Sequence, residues 1–396
     1  MIDPAFSSSG AWPTSSPTWR WVDRGRTAAA LPVAEALLSR ALSSDPENLV
    51  LRRQLAGVYY DQARWADAVQ TLHHGRARTD ARCAHLLGQA YLAVRSLDAA
   101  VTSLEQACRL GAAARADLAE AIRLRDGDEA AAPLCQAILA ENPDDTVSLA
   151  IEGGRLLRSG DTDSLHALCS GLAARGADNA QLLALWACAR AARGDTAGVD
   201  EIVNYDRCLC VRQLAVGTAD QVAFRQALAA EIVDHPNLTA PNPRRATVDG
   251  ERVNAPLTEQ AACFSALAAA IRAAVEDYAA RLPDDLLLPR RRNGRDAALD
   301  IWAVILRDQG HQLWHLHPRA SISGAFYVTV PDASERSGAL EFGLLPAAAQ
   351  SFPAWRRTIQ PRQGMLVLFP SSFVHRTIPS GRPEPRISVA FDVVSV

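Results

Sequence analysis

The chain has 396 residues, which is too many for one typical hydrophobic core and predicts two or three domains. A net charge of −3 and a sequence pI near 6.3 argue against a nucleic-acid or membrane-surface partner. No stretch has the apolar length of a signal peptide or of a membrane-spanning helix, so we expect a cytoplasmic protein.

Residues 1–29 are rich in Ser, Pro and Trp and are expected to form a flexible N-terminal segment. From 30 to 203 the chain is rich in Ala and Leu, with apolar residues three and four positions apart, which predicts helices. This region also repeats with a spacing of 32 positions. The residues Leu55, Ala56, Tyr59, Ala68, Leu72 and Gly75 correspond to Leu87, Gly88, Tyr91, Ala100, Leu104 and Ala107.

Small residues at these positions would let paired antiparallel helices approach closely, while the large ones fill the space between them. The pattern resembles the tetratricopeptide repeat, in degenerate copies over residues 30–203. Stacked helix pairs form a concave surface that usually holds a peptide or another protein. A spacer or a dimer surface is the alternative role for this array.

Eight cysteines are scattered along the chain, mostly on the apolar faces of helix-like stretches, where a thiol behaves as a small hydrophobe. Only Cys208 and Cys210 lie close together, and one Cys-x-Cys pair is weak evidence for zinc or redox chemistry. We therefore expect reduced, buried thiols.

After residue 203 the helical repeat pattern ends. Helices are predicted over 219–234 and 256–281, with a Pro- and Asn-rich connection after the first of them. The basic run PRRRNGR at 289–295 is interpreted as a solvated loop, with a site for an acidic substrate group as the alternative.

From residue 298 onwards, short strands separated by Gly and Pro turns predict a sandwich or barrel. The strands are LDIWAVIL, SISGAFYVTV, GALEFG, RTIQP, GMLVLF and RISVAFDVV. The fold class is therefore α+β, with helical repeats at 30–203 followed by a second domain at 204–396. That domain has a helical lead-in at 204–296 and a β core at 297–396.

Four of the nine histidines lie in or next to the predicted strands: His311, His315, His317 and His375. Residues i and i+2 of a strand share a face, so His315 and His317 can both point into the mouth of a barrel. His375, at the end of a later strand, is the candidate third ligand. Imidazole and oxygen ligands suit iron(II) and leave positions open for substrate and dioxygen.

Arg386 follows His375 by eleven residues and lies on the next predicted strand. Its guanidinium could bind a carboxylate through two parallel hydrogen bonds, which a lysine would do less well. Ser388, two residues further on, would share that face and could add a hydroxyl hydrogen bond.

Read in order, HLHPRASISGAFYVTVP, SGALEFG, GMLVLFPSSFVHRTIP and RISVAFDV resemble the iron(II)/2-oxoglutarate-dependent oxygenases. In particular, they resemble a bacterial branch in which tetratricopeptide repeats precede the oxygenase domain. The resemblance implies a double-stranded β-helix, or jelly roll, whose open end holds iron. It implies His315 and His375 as iron ligands and Arg386, assisted by Ser388, as the partner of the far carboxylate of 2-oxoglutarate. Tyr327 is a further expected contact to that cosubstrate.

The sequence departs from the family's commonest motif, because His317 stands where an aspartate usually does. His317 is either a third imidazole ligand or a residue beside the metal, as in the aspartyl/asparaginyl β-hydroxylases. The register also allows His317 to be the primary ligand and His315 its neighbour. We expect both at or beside the metal, with His311 outside the site and Glu341 on an exposed strand position.

The implied reaction is hydroxylation of a C–H bond in a peptide, protein or metabolite substrate, with release of succinate and CO2. Iron(II), 2-oxoglutarate and dioxygen are the implied cofactors, with ascorbate as a candidate reductant. Two alternatives stay open. One is a cupin-like three-histidine dioxygenase that does not use 2-oxoglutarate, which would leave Arg386 and Ser388 without a role. The other is a non-catalytic protein whose repeats bind a partner.

Overall fold

A computed structural model describes residues 20–22, 31–73, 75–217, 220–240, 244–254, 261–289, 296–332, 336–346 and 353–395. The predicted flexible segment 1–29, apart from 20–22, and the basic run, apart from residue 289, lie outside these residues. The chain forms two compact units. One contains residues 1–27, 156–235 and 246–396, and the other contains 28–155 and 236–245. The domain boundaries proposed from the sequence stay a prediction.

The N-terminal half is a series of antiparallel helices, which confirms the predicted helical array. The helices are α1 (Leu31–Ser44), α2 (Leu49–Asp61), α3 (Trp65–Leu72), α4 (Ala81–Ala93), α5 (Leu97–Arg109), α6 (Arg115–Asp126), α7 (Asp128–Glu141), α8 (Thr146–Ser159), α9 (Thr162–Ala174), α10 (Ala180–Ala192), α11 (Thr196–Asp200) and α12 (Tyr205–Cys208). Several begin at an Asn or Asp whose side chain accepts hydrogen bonds from free backbone N–H groups of the first turn, as Asn48 and Asp80 do.

The repeated small residues lie where helices cross. A Cβ atom on Gly88 would come within 2.5 Å of Cγ of Leu104, so α4 and α5 can approach this closely only because position 88 has no side chain. Ala56, Ala68 and Leu72 are buried together in the core of the preceding pair. The 32-residue repeat in the sequence therefore reflects the regular packing of successive helix pairs.

The C-terminal part contains two sheets and two further helices. The elements are β1 (Arg20–Val22), β2 (Cys210–Gln213), α13 (Gln221–Val233), β3 (Leu238–Thr239), β4 (Thr247–Asn254), α14 (Ala262–Ala279), β5 (Asp296–Gln312), β6 (Ile322–Thr329), β7 (Leu340–Gly343), β8 (Arg357–Ile359), β9 (Met365–Pro370), β10 (Val374–Thr377) and β11 (Arg386–Ser395).

In the described residues the larger sheet has eight strands. Six of them follow the order β2-β9-β6-β11-β5-β4 with antiparallel neighbours, and β1 pairs in parallel with β5. The smaller sheet has the order β10-β7-β8 and is also antiparallel. Residues of both sheets line one pocket, and α13 and α14 pack against β6 and β5 of the larger sheet. This is the jelly-roll arrangement predicted from the sequence.

All six predicted strands are present, but five others, β1, β2, β3, β4 and β10, were not predicted. Strand β4 lies at the end of the segment interpreted as a turn-rich connection, where the polar sequence TVDGERVN has little hydrophobic alternation. It forms because β5, at 17 residues, offers a long edge for it to pair with. Strand β10 is a four-residue strand inside a segment whose only recognised feature was His375.

All eight cysteines are free thiols. Five are buried as expected, whereas Cys108, Cys210 and Cys263 are half-buried. Among the helices that the structure describes, none is long and apolar enough to cross a membrane.

Candidate metal centre and adjoining pocket

Three histidine side chains converge at one end of the pocket between the two sheets. One ring nitrogen from each of His315, His317 and His375 lies within 4.8 Å of the others. The ring centroids of His315 and His375 are 4.3 Å apart, and each lies 5.3 Å from that of His317. His311 lies outside this group, as predicted, with its Nδ1 2.8 Å from the carbonyl oxygen of Gln309.

Backbone pairing brings the first and third histidines together. His375 lies on β10, and the backbone N–H groups of His315 and His375 each donate to the other's carbonyl, at 2.9 Å. His315 and His317 lie beyond the end of β5 rather than on a regular strand, so the strand alternation assumed from the sequence does not apply to them. The isolated bridge to His375 aligns His315 instead.

Each ring is held through its Nδ1 atom. In His315 and His375, Nδ1 lies 2.7 Å and 2.9 Å from the carbonyl oxygens of Leu313 and Phe373. A carbonyl only accepts hydrogen bonds, so in the neutral rings Nδ1 carries the hydrogen and Nε2 keeps a free lone pair. Such outer contacts are typical of metal-binding histidines, because they fix the tautomer and the ring orientation.

Two of the rings are kept neutral. Removal from water, and next the electrostatic effect of His317, lower the pKa of His315 to about 3. Burial, followed by the effects of His315 and His317, lowers the pKa of His375 well below its usual value. Neutral imidazole is the form that binds a metal, so these two residues are ready to bind one at neutral pH without losing a proton.

The third ring is bound to a carboxylate. Nδ1 of His317 lies 2.9 Å from Oδ2 of Asp392, and Oδ1 of Asp392 accepts a hydrogen bond of 2.7 Å from the hydroxyl of Ser323. On its other side His317 stacks on Trp302, with ring centroids 5.6 Å apart. His317 is therefore as firmly oriented as the other two, and a negative charge lies directly behind it.

The pocket next to the histidines contains polar atoms that lack partners. Arg386 is 3% exposed; its Nε makes no well-aligned hydrogen bond to any described residue. The guanidinium lies 5.0 Å from the ring centroid of Tyr327, and no described acidic side chain forms an ion pair with it. The buried Tyr327 hydroxyl and the Nε1 of Trp302 likewise have no well-aligned partner in the described part of the chain.

These unpaired groups share one cavity of about 400 Å³, counting the space open to solvent. Ser388 also lines it, opposite Tyr327 in the β6–β11 register. Burying an unpaired guanidinium is costly, and buried polar groups are normally satisfied. The donors therefore fit a ligand that brings carboxylate or carbonyl oxygens, and the three imidazoles fit a transition-metal ion beside it.

The expectation for Glu341 was wrong. Its side chain is fully buried and is bound by the guanidinium of Arg376 at 2.6 Å and that of Arg336 at 3.2 Å, with Arg356 at 3.8 Å. It lies on β7 beside Arg376 of β10, and it is not part of the histidine group. Glu341 is a structural carboxylate of the smaller sheet.

Sequence reasoning missed Asp392 and Trp302. A signal for Asp392 was present, because it follows Arg386 and Ser388 on β11 at even spacing and so shares their face. Trp302 offered no such signal, since its stacking on His317 depends on the pairing of β5 with β11.

Two family models match separate parts of the chain. Residues 300–392 match the family described as "Putative 2OG-Fe(II) oxygenase", which takes its name from 2-oxoglutarate and iron(II). The match covers strands β5 to β11 in the C-terminal part of the chain. Residues 23–107 match the family "Anaphase-promoting complex, cyclosome, subunit 3", and this range includes helices α1 to α4. No curated protein matches the chain.

Solved structures similar to part of this chain include a prolyl-4-hydroxylase from Pseudomonas putida, 18% identical, which covers 50% of this chain and 98% of its own at a TM-score of 0.35. HygX from Streptomyces hygroscopicus, with nickel and 2-oxoglutarate bound, is 12% identical and covers 50% of this chain and 87% of its own at 0.35. YrrB, a TPR protein with an unusual peptide-binding site, is 17% identical and covers 44% of this chain and 92% of its own at 0.34. At such TM-scores these likenesses are weak.

Proposed function

We propose that the protein is an iron(II)- and 2-oxoglutarate-dependent oxygenase that hydroxylates a C–H bond of a peptide, protein or metabolite. The observation that carries this proposal is the juxtaposition of three oriented imidazoles with a buried arginine that pairs with no described carboxylate, all in one pocket. Bound iron would supply the redox chemistry that couples the oxidation of 2-oxoglutarate to succinate and CO2 with the oxygenation of substrate. We further propose that this domain extends over residues 204–396, because α13 and α14 pack against its sheet.

In this proposal His315, His317 and His375 all hold the iron through Nε2. The fixed Nδ1 contacts of all three rings support a three-histidine set over one in which His317 merely lies nearby. Asp392 then acts as a positioning residue. It fixes the tautomer of His317 and provides, through that ring, some of the negative charge that the usual aspartate ligand would bring.

Arg386 has the role of binding the far carboxylate of 2-oxoglutarate. A carboxylate would give the guanidinium an anionic partner, and its unpartnered Nε an acceptor, in a setting where solvent competes little. Tyr327 and Ser388 flank that position and offer hydroxyl groups. A dioxygenase without 2-oxoglutarate would leave the buried charge of Arg386 unexplained, so the cupin-like alternative is disfavoured.

The rest of the pocket wall is apolar, which favours a substrate whose reacting group is a C–H bond. Leu340, Phe369 and Ala325 line it together with Trp302, and this apolar surface would exclude water from the reacting C–H bond. The helical repeats favour a peptide or protein as the substrate, because repeat arrays commonly bind extended chains on their concave face.

The proposal is tested by succinate formation in the purified full-length protein supplied with iron(II), ascorbate and 2-oxoglutarate. The identity of the substrate need not be known for this assay, because oxidation of 2-oxoglutarate in the absence of substrate would form succinate at a slow background rate. We expect this rate in the wild type and its loss in His375→Ala. His311→Ala is the matched control, since His311 lies outside the histidine group, and it should keep the rate. Absence of succinate from the wild type, together with no binding of 2-oxoglutarate, would overturn the proposal.

A further inference from the structure

A second arginine lies on the pocket side of the larger sheet, towards its β4 edge. In the antiparallel register, Arg252 of β4 lies opposite Val304 of β5, which in turn lies opposite Ser388 of β11. Residues directly opposite one another in antiparallel strands share a face of the sheet. Because Ser388 lines the pocket, Arg252 projects from the same face of the sheet as the pocket residues.

The guanidinium of Arg252 is held beside the histidines. Its Cζ lies 4.6 Å from the ring centroid of Trp302, the same ring that stacks on His317. Its Nε donates a 2.6 Å hydrogen bond to Oδ1 of Asn254, two positions further along β4 and on the same face. Burial and then His317 are the main causes of the low pKa of His315, and the charge of Arg252 adds to them. The positive charge of Arg252 therefore lies close to the candidate metal centre.

Trp302 contributes a hydrogen-bond donor at the same place. Its side chain is 8% exposed and lines the pocket, and its Nε1 has no well-aligned partner in the described part of the chain. A buried indole N–H normally finds an acceptor. An indole N–H and a guanidinium only donate hydrogen bonds, so the pair formed by Trp302 and Arg252 suits a ligand group that only accepts them. An ionised carboxylate is such a group.

The charges around the pocket favour an anion as well. Among the described residues, no Asp or Glu lines it, and the nearby Asp392 lies behind His317. Three neutral imidazoles bring no negative charge to a metal ion, so an ion bound there would keep its full positive charge. A carboxylate that enters beside Arg252 would therefore meet attraction from two sides.

We propose that Arg252 and Trp302 bind a carboxylate of the substrate, and that the substrate is an amino acid or peptide with this carboxylate close to its reacting C–H bond. This inference rests on the proposed function and names the substrate class of the same pocket. The guanidinium and the indole N–H would each donate to the carboxylate, and stacking on Trp302 orients the guanidinium in advance. The pocket then has two arginines with separate roles, Arg386 for the cosubstrate and Arg252 for the substrate.

The proposal is tested with small carboxylates, titrated into the full-length protein with zinc(II) as a redox-inactive metal. The NMR signal of the Trp302 indole N–H, assigned with Trp302→Phe, follows binding. The probes are N-acetylleucine, with a terminal carboxylate, the α-amide of N-acetylglutamic acid, with a side-chain carboxylate, and N-acetylleucinamide, with none. At least one carboxylate should bind about tenfold more tightly than the neutral amide, because an ionised acceptor strengthens a hydrogen bond. The tighter carboxylate identifies which kind the site prefers, and equal affinities for all three probes would overturn the proposal.

Three variants show where the carboxylate binds. Arg252→Gln should abolish the preference for a carboxylate over the amide. Arg307→Gln is the matched control and should keep it, because Arg307 pairs with Glu251 across the same two strands and does not line the pocket. Arg386→Met should keep it as well. A preference that persists in Arg252→Gln, or that disappears in Arg386→Met, would contradict the proposal.

Circular dichroism checks that each variant is folded. If Arg252→Gln is not, Arg252→Lys replaces it; this variant keeps the charge but loses the planar guanidinium, so the preference should fall several-fold, and an unchanged preference would count against the proposal. The readout is binding rather than succinate formation. Succinate formation without a carboxylate preference would reject this inference alone, whereas a carboxylate preference that depends on Arg252, without succinate formation, would reject only the proposed function.

Discussion

Two buried charged residues of the C-terminal sheets, Glu341 and Arg386, differ in whether residues of opposite charge surround them. Glu341 is fully buried and surrounded by the guanidinium groups of Arg336, Arg356 and Arg376. Arg386 is almost as buried, yet no described acidic residue pairs with it. A charge that serves the fold is compensated within the chain, because an uncompensated one destabilises it. A buried charge without a carboxylate partner, beside three histidines that could hold a metal ion, is consistent with a ligand that binds from solution.

Replacing Arg386 is expected to give the largest effect, with a strong loss of 2-oxoglutarate affinity and little change in stability. Arg386→Met keeps much of the side-chain volume and removes an unpaired charge, so the free energy of unfolding should change by less than about 1 kcal/mol. The 2-oxoglutarate concentration for half-maximal succinate formation should rise at least about thirtyfold, which corresponds to roughly 2 kcal/mol. Arg362→Ala, at an exposed turn, is the control for loss of a positive charge. An unchanged half-maximal concentration in Arg386→Met would remove Arg386 from the site.

The opposite result is expected at Glu341. Glu341→Gln weakens charge-assisted hydrogen bonds in a buried position and should lower the free energy of unfolding by about 2–3 kcal/mol, measured with urea. The half-maximal 2-oxoglutarate concentration should stay the same, because Glu341 is not among the pocket residues. If this variant loses affinity for 2-oxoglutarate while its stability is unchanged, the contrast between the two charges is wrong.

Asp392 is an intermediate case, since it is paired within the chain but acts on a pocket residue. Asp392→Asn should weaken metal binding by about ten- to a hundredfold, because His317 loses the charged acceptor that orients it. Competition with a chelator of known affinity measures this effect. Should stability fall without any loss of metal affinity, Asp392 would be purely structural and His317 would not be a ligand.

The smallest effect is expected at Tyr327. Its hydroxyl has no well-aligned partner, so Tyr327→Phe should leave stability unchanged. Loss of one hydrogen bond to the cosubstrate should weaken 2-oxoglutarate binding by roughly 0.5–1.5 kcal/mol, which is about two- to twelvefold. Calorimetric titration of the variant beside the wild type would detect it, and equal affinities would show that Tyr327 only packs against Arg386.

Much of this architecture was predictable because it depends on local pattern. The repeat spacing gave the helical array, and the Gly- and Pro-bounded strands gave the β domain. The histidines and Arg386 were recognisable as candidates from their order and spacing alone. His315, His317, His375 and Arg386 line one pocket, and their roles stay a prediction. The bridge between His315 and His375, rather than strand alternation, aligns those two residues.

What could not be predicted depends on contacts between distant strands. Nothing near Glu341 in the sequence indicates that Arg356 and Arg376 will meet over it, so an exposed position was the natural expectation. The same holds for Trp302, which reaches His317 through the pairing of β5 with β11. Arg252 is a further example, since it reaches Trp302 through the pairing of β4 with β5.

The most direct test of the central claim is anaerobic calorimetric titration of 2-oxoglutarate into the wild type and His375→Ala, each with and without iron(II). If the three imidazoles hold iron beside the pocket of Arg386, the wild type should bind 2-oxoglutarate tightly only when iron is present, and His375→Ala should show no such enhancement. Equal binding with and without iron, or the same enhancement in His375→Ala, would contradict the account.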